Sequence, residues 1–159
     1  MPTDFSMFEA NVWGMLFYCS RIDRDEHGTS GIHPFEVAGK VLLFIRHAGI
    51  LLGTLGYRGP VLISTALTSI LGVGWLNITP RGLLSNLAGS ELDDDVAFSV
   101  TTTSDALSER PDGVAMEVLR YIFFSANLPD LIDPPGQLED LVRMGYKYNF
   151  WSEPGALRI

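Results

Sequence analysis

A long apolar helix that ends in a glycine turn and leads into a strand is the feature that most constrains this fold. Between residues 37 and 55, apolar side chains recur at alternating spacings of four and three residues, which places them on one helix face. These residues are Val37, Val41, Phe44, Ala48, Leu51 and Leu55. Gly56 suits the left-handed residue that ends many helices, and Gly59 and Pro60 open an extended segment. The pattern predicts a helix-to-strand junction near Gly56.

The predicted helix is apolar around much of its circumference. The apolar residues that lie off the main stripe are Leu42, Leu43, Ile45, Ile50 and Leu52. Such a helix needs cover on two sides. A sheet covers one side, and a second helix or a second copy of the chain covers the other. We expect Leu43 and Ile50 at an interface of this kind.

The rest of the chain alternates between strand and helix patterns. Alternating apolar and polar residues predict a strand over 96–103, and a helical repeat begins near Pro111. Further strands are predicted over 11–22, 60–68 and 75–79, and a short helix over 137–144. We expect the strand over 60–68 to be mostly buried. The order of elements predicts an α+β fold, with a mainly antiparallel sheet of about four strands and two main helices packed on one side.

Length and composition narrow the class of protein. The 159 residues suit a single domain over 1–159, with flexible ends over 1–8 and 152–159. Hydrophobic residues make up 47% of the chain and charged residues only 19%, so we expect some apolar surface to meet a partner, as in a homodimer. The net charge is −8 and the basic residues are scattered, which argues against direct nucleic-acid binding.

The cellular compartment is predicted from cysteine usage and hydropathy. Cys19 is the only cysteine, so the chain has no intramolecular disulfide and no cysteine-based zinc site, which suits a reducing compartment. Asp4 and Glu9 precede the first apolar stretch, unlike the basic start of a secretory signal. Lys40 and Arg46 interrupt the apolar helix short of the roughly 20 residues that a bilayer needs. We therefore expect a cytoplasmic protein that does not span a membrane.

The chain carries no recognisable catalytic or metal-binding motif. The acidic run at 91–95 lacks the glycine and the distal glutamate of a calcium loop, so we interpret it as a solvated turn. His27, His33 and His47 are not spaced as a pair of metal ligands on one helix. His47 lies on the long helix and is the first residue to test as a ligand contact. We expect no metal, no cofactor and no catalytic residue that the sequence identifies.

Several segments of the first half resemble a known group of bacterial proteins. The segments are 11–16, 32–35, 46–48 and 55–61, together with the strand that follows. They resemble the C-terminal region of bacterial proteins with a Schlafen/AlbA-type DNA-binding domain. The resemblance implies an accessory module that works beside a DNA-binding or ATP-binding part, and it transfers no functional residue.

Three functions remain open at this point. The leading hypothesis is a non-enzymatic sensory or assembly module that dimerises through the long helix. The alternative is a domain that binds a small molecule in a pocket between helix and sheet near His47, Tyr57 and Trp75. An enzyme whose site is assembled from distant residues ranks last. The aromatic segment 146–151 is either a packed terminal strand or part of a binding site.

Overall fold

A computed structural model describes the chain over residues 6–10, 14–20, 31–32, 34–68, 74–78, 84–86 and 95–125. Within these ranges the chain forms seven strands and three helices. They are β1 (Ser6–Ala10), β2 (Leu16–Ser20), β3 (Gly31–Ile32), α1 (Pro34–Thr54), β4 (Pro60–Leu67), β5 (Gly74–Ile78), β6 (Leu84–Asn86), β7 (Val96–Thr103), α2 (Ser104–Glu109) and α3 (Pro111–Ser125). The α+β class expected from the sequence is confirmed.

Helix α1 begins and ends where the sequence predicts. Pro34 occupies the first turn, where the missing amide proton would have had no helical partner. At the other end Gly56 takes a left-handed φ of 70°. The Tyr57 amide donates to the Leu52 carbonyl at 3.0 Å, and the Gly56 amide donates to the Gly53 carbonyl at 3.1 Å. This pair of bonds is a Schellman motif, and it turns the chain from α1 into β4.

The buried face of α1 is rotated from the predicted stripe. Leu42 and Ile45 were assigned to the flanks of the helix, yet each is only 1% exposed. Leu55 was placed on the main stripe, yet it is 69% exposed. The predicted stripe is therefore wrong at its C-terminal end. The physical reason is that α2 and α3 both pack on α1 and cover a different arc of it, and that α1 ends at Thr54, so Leu55 lies in the exposed turn.

Strands β4 and β7 form an antiparallel ribbon of eight residue pairs, from Pro60 opposite Thr103 to Leu67 opposite Val96. The period-two pattern is confirmed, because Ile63 and Val100 are buried on the inner face and Leu62 is exposed on the outer face. The expectation that β4 is mostly buried is wrong. Only its inner face is covered, and the outer face is open to solvent.

The core lies between the helices and this ribbon. α3 contacts β7 and α1, and α2 contacts α1, α3 and β7. The buried core contains Val37, Ala38, Leu42, Ile45, Leu52, Ile63, Val96, Ala106, Leu107, Val114, Ala115, Val118, Leu119, Ile122 and Phe123. Helix α3 begins at the predicted Pro111, whereas the short helix α2 was not predicted. Its N-cap is Thr103, whose hydroxyl accepts from the Ala106 amide at 3.1 Å.

The remaining described strands form two small groups. β1 pairs antiparallel with β2, and β5 lies between β3, its parallel partner, and β6, its antiparallel partner. Within the described residues, the strand predicted over 11–22 begins only at Leu16, because Gly14 has a φ of 77° and interrupts the extended backbone. β5 agrees with the strand predicted over 75–79 to within one residue. The predicted helix over 137–144 and the segment 146–151 lie outside the described residues.

Candidate functional site

The side of α1 that faces away from α2 carries a row of four residues, which we name the outer face of α1. Leu43, His47, Ile50 and Thr54 follow one another at spacings of four, three and four, so they lie along one line of the helix. Ile50 is 67% exposed. Leu43 and His47 are half-buried, and Thr54 is exposed. The row therefore presents an isoleucine to solvent, with a leucine and an imidazole beside it.

The outer face of α1 is open to solvent because the side of the helix that carries Gly49 packs closely against α2. A side chain at Gly49 would place its Cβ only 2.5 Å from the Leu107 carbonyl oxygen. The Ser108 hydroxyl also donates to the Gly49 carbonyl at 3.3 Å. A helix backbone can approach another this closely only where a side chain is missing. Gly49 thus fixes the rotation of α1 and leaves Ile50 on the solvent side.

The charges near the outer face have partners within the fold. Arg46 donates to Asp112 of α3 through Nε and Nη2, at 3.2 and 3.0 Å to one carboxylate oxygen. The second carboxylate oxygen lies 3.3 Å from Nη2. Lys40 pairs with Glu36 one turn earlier, at 2.7 Å. These are surface pairs, so each contributes at most about 1 kcal/mol to stability. Their main consequence is that charge next to the outer face is compensated.

Tyr57 lies in the connection between α1 and β4, where its hydroxyl already has a partner. The Tyr57 hydroxyl donates to the Pro60 carbonyl at 2.8 Å. The ring lies over Gly59, because a Cβ added at Gly59 would meet the Tyr57 hydroxyl oxygen at 2.8 Å. Tyr57 is still 42% exposed. These contacts support a role in holding the turn.

The three residues predicted to line a pocket occupy different elements. His47 lies in the middle of α1 and Tyr57 in the turn that follows it. The backbone of Trp75 lies in β5, opposite Ile32 of β3, and its side chain is outside the described part of the structure. No described contact joins the three residues, so the pocket stays a prediction. Leu43 and Ile50, predicted as interface residues, lie together on the outer face of α1.

The turn before β4 is fastened to the start of α2 by contacts that the sequence did not indicate. Ser104 is only 2% exposed, and its hydroxyl accepts from the Gly59 amide at 3.1 Å. The Ser104 amide in turn donates to the Gly59 carbonyl at 3.0 Å. Arg58 forms an ion pair with Asp105 beside this contact. The partners are separated by more than 40 positions in the sequence, so only the pairing of β4 with β7 brings them together.

A second exposed surface is the outer face of the β4 and β7 ribbon. Leu62 lies opposite Thr101, Ser64 opposite Ser99, and Ala66 opposite Ala97. All six residues are exposed and none is charged. The Ser64 and Ser99 hydroxyls are 2.9 Å apart, so they hydrogen-bond each other across the ribbon. Leu62 is 66% exposed, so its exposure is nearly equal to that of Ile50, which lies on a different surface.

Helix α1 is also apolar and long enough to raise the question of membrane insertion. Among the described residues, Glu36–Thr54 has the length and mean hydropathy, 1.4, that a membrane-spanning segment requires. However, 44% of that window is buried inside the fold, which is also how the core helix of a soluble protein behaves.

Within the described ranges, no group of three His, Cys, Asp or Glu side chains is placed to hold a metal ion.

Comparisons with protein-family models, with curated proteins and with solved structures give no match for this chain. The resemblance to the accessory region of Schlafen/AlbA-type proteins therefore stays a prediction.

Proposed function

We propose that this protein is a non-enzymatic sensory or assembly module that forms a homodimer through the outer face of α1. The observation that supports the proposal is the 67% exposure of Ile50 on a helix whose other side is fully packed. A second copy would cover Ile50 and Leu43 with its own outer face. The site would then be self-complementary, as an interface with two-fold symmetry requires.

The resemblance described above suggests where such a module would work. An accessory domain that dimerises would bring together two copies of a DNA-binding or ATP-binding regulator. This role needs no catalytic residue in the module itself. It also agrees with a net charge of −8, because the module would not contact the nucleic acid directly.

We further propose that the protein is soluble and cytoplasmic. We also propose that its sheet is wider than the ribbon of β4 and β7. Within the described residues β4 and β7 pair only with each other, and strand edges of eight residues are usually paired or covered. We infer that β4 and β7 belong to a mainly antiparallel sheet of about four strands, with α1 and α3 on its inner side. Amide hydrogen exchange tests this inference. Slow exchange along both edges of the ribbon is expected, whereas fast exchange of every other amide on both edges would contradict it.

Mass measurement tests the dimer directly. Native mass spectrometry of the purified protein should give a species at twice the chain mass of 17.5 kDa. A monomer of unchanged mass would contradict the proposal. A monomer with added mass would also contradict it, and would favour the small-molecule pocket near His47, Tyr57 and Trp75.

A pair of matched variants tests which surface forms the dimer. Ile50→Glu should weaken dimerisation at least tenfold, because burying an isoleucine contributes about 1.5 to 3 kcal/mol and each 1.4 kcal/mol is a factor of about ten. Leu43→Glu should act in the same direction. Leu62→Glu is the control, since Leu62 is 66% exposed and lies on the ribbon.

Sedimentation equilibrium gives the dissociation constant of each variant, and circular dichroism checks that each variant is folded. A folded Ile50→Glu protein that dimerises as well as the Leu62→Glu protein would show that the outer face of α1 is not the interface.

A further inference from the structure

The outer face of α1 alternates apolar and polar side chains along the helix. Leu43 and Ile50 are apolar, whereas His47 lies between them and Thr54 follows them. His47 is half-buried, and among the described residues no hydrogen bond joins its imidazole to another group. The proposed dimer would bury this imidazole further. The group that His47 meets in the second copy therefore affects how the two helices pair.

The spacing of the row limits which residues can face each other. Spacings of four, three and four residues are those of the inner positions of a coiled coil. Two parallel helices in register bring each residue opposite its own copy. Reversing one helix keeps the row in contact only where His47 faces Leu43 or Ile50, because Leu43 lies four residues before His47 and Ile50 only three residues after it. Only the parallel pair thus places His47 opposite His47 with the rest of the row in contact.

Hydrogen bonding favours the parallel pair. A neutral imidazole has one N–H donor and one nitrogen acceptor, so two facing imidazoles can hydrogen-bond each other. In the parallel pair the apolar residues also meet each other, Leu43 with Leu43 and Ile50 with Ile50. In an antiparallel pair each imidazole is buried against an apolar side chain, and a buried polar group without a partner destabilises the contact. A polar residue at a single inner position specifies the register of coiled coils in the same way.

The charges on α1 do not decide the direction. The Lys40 ammonium lies 2.7 Å from the carboxylate of Glu36 on the same helix, and Arg46 Nη2 lies 3.0 Å from the carboxylate of Asp112 on α3. Each cation is therefore compensated within its own copy. The choice between the two directions depends on how the polar residues of the row are paired.

We propose that the two copies of α1 pack parallel and in register, and that His47 specifies this arrangement. The inference rests on the proposed dimer function and adds the direction of the contact and the residue that determines it. The two imidazoles then face each other beside the two-fold axis, with a pair of Leu43 side chains one turn before them and a pair of Ile50 side chains one turn after them.

Disulfide trapping distinguishes parallel from antiparallel helices. The background is Cys19→Ser, which removes the only native cysteine. Residues 43 and 54 lie about 16 Å apart along the helix axis, at about 1.5 Å per residue. In any antiparallel register at least one of the two is therefore about 16 Å or more from its own copy, whereas a disulfide joins Cα atoms no more than about 7 Å apart. Self-linkage of both the Leu43→Cys variant and the Thr54→Cys variant is expected only for the parallel pair.

His47→Leu tests whether the imidazole specifies the direction. Without the imidazole, an antiparallel pair centred between residues 47 and 50 no longer buries an unpartnered polar group. A mixture of Leu43→Cys and Thr54→Cys chains links in that pair, because residue 43 then faces residue 54. Adding His47→Leu to both chains should raise this mixed link relative to the Leu43→Cys self-link by at least about fivefold, the factor that corresponds to about 1 kcal/mol for one hydrogen bond. An unchanged ratio would overturn the role of His47.

The products are identified by non-reducing electrophoresis and by mass spectrometry of the linked peptides. Glu117→Cys on the exposed side of α3 measures linkage by random collision. If Leu43→Cys or Thr54→Cys fails to link to itself above that level while native mass spectra still show a dimer, the parallel arrangement is overturned and the dimer stands. Native mass spectra of the Cys19→Ser background and of the wild type that show monomer alone would overturn the proposed function, and this inference with it.

Discussion

Replacing Gly49 by alanine tests the contact that fixes the rotation of α1. The new Cβ would lie 2.5 Å from the Leu107 carbonyl oxygen and 2.9 Å from its carbonyl carbon. Carbon and oxygen atoms in close contact normally stay about 3.3 Å apart or more. The neighbouring atoms are backbone, so they cannot rotate away as a side chain would. The two helices must separate by about 0.8 Å or distort.

Two opposing effects decide the size of the change. Alanine is favoured over glycine inside a helix by about 1 kcal/mol, which would stabilise the protein. Overpacking a tight contact costs about 1 to 3 kcal/mol, and more where rigid groups clash. Separating the helices also loosens the packing of Leu107, which is 1% exposed. We therefore expect Gly49→Ala to lower the free energy of unfolding by about 1 to 2 kcal/mol.

Gly53 supplies a matched control on the same helix, one turn later. A Cβ there would have the Ser108 hydroxyl oxygen as its nearest neighbour at 3.7 Å, an ordinary contact distance. Gly53→Ala should therefore raise the free energy of unfolding by up to about 1 kcal/mol through helix propensity alone. The two alanine variants should differ by about 1 to 3 kcal/mol.

Urea denaturation followed by circular dichroism measures this difference, provided that the slope of the transition is the same in both variants. In a thermal melt the same difference corresponds to roughly 2 to 12 °C in Tm for a chain of this size. If Gly49→Ala proves as stable as Gly53→Ala, then α1 and α2 are not in close contact, and the outward direction of Ile50 loses its explanation.

Three further substitutions test the turn between α1 and β4, each by urea denaturation. Ser104→Ala should lower the free energy of unfolding by about 1 to 2 kcal/mol, because the Gly59 amide loses its acceptor. The control is the exposed Ser99→Ala, which should change this free energy by no more than about 0.5 kcal/mol. Equal effects of the two substitutions would contradict the buried role of Ser104. Gly56→Ala should cost about 1 kcal/mol because φ is 70° there, and an unchanged stability would show that the left-handed turn is absent. Tyr57→Phe should cost less than about 1 kcal/mol, because its bond to the Pro60 carbonyl is exposed to water, and a larger loss would indicate an additional role of the hydroxyl.

Local chemistry was sufficient to predict the main elements from the sequence. Pro34 starts α1 and Gly56 ends it, because a missing amide proton and a missing Cβ each suit one end of a helix. The alternation in β4 and β7 follows from the two faces of a strand, so the half-buried pattern of β7 was predicted, whereas the exposure of one face of β4 was not. These predictions depend on residues close together in the chain. The prediction that Leu43 and Ile50 lie off the main apolar stripe has the same origin.

Only the tertiary structure decided which sides of these elements are covered. Helix periodicity placed Leu55 on the buried stripe and Ile45 beside it. In the structure Ile45 is buried and Leu55 is exposed, because α2 and α3 cover a different arc of α1. The pair of Gly49 and Gly53 was a visible signal for close helix contact, but the sequence did not say that α2 is the neighbour or that Gly49 alone has no room for a Cβ. Ser104 has no local signal at all, since its partner Gly59 reaches it only through the register of β4 with β7. Spacing along the chain thus determined the helices and strands, and contacts between distant residues determined which surfaces stay open to solvent, because burial depends on every element that packs against a given side.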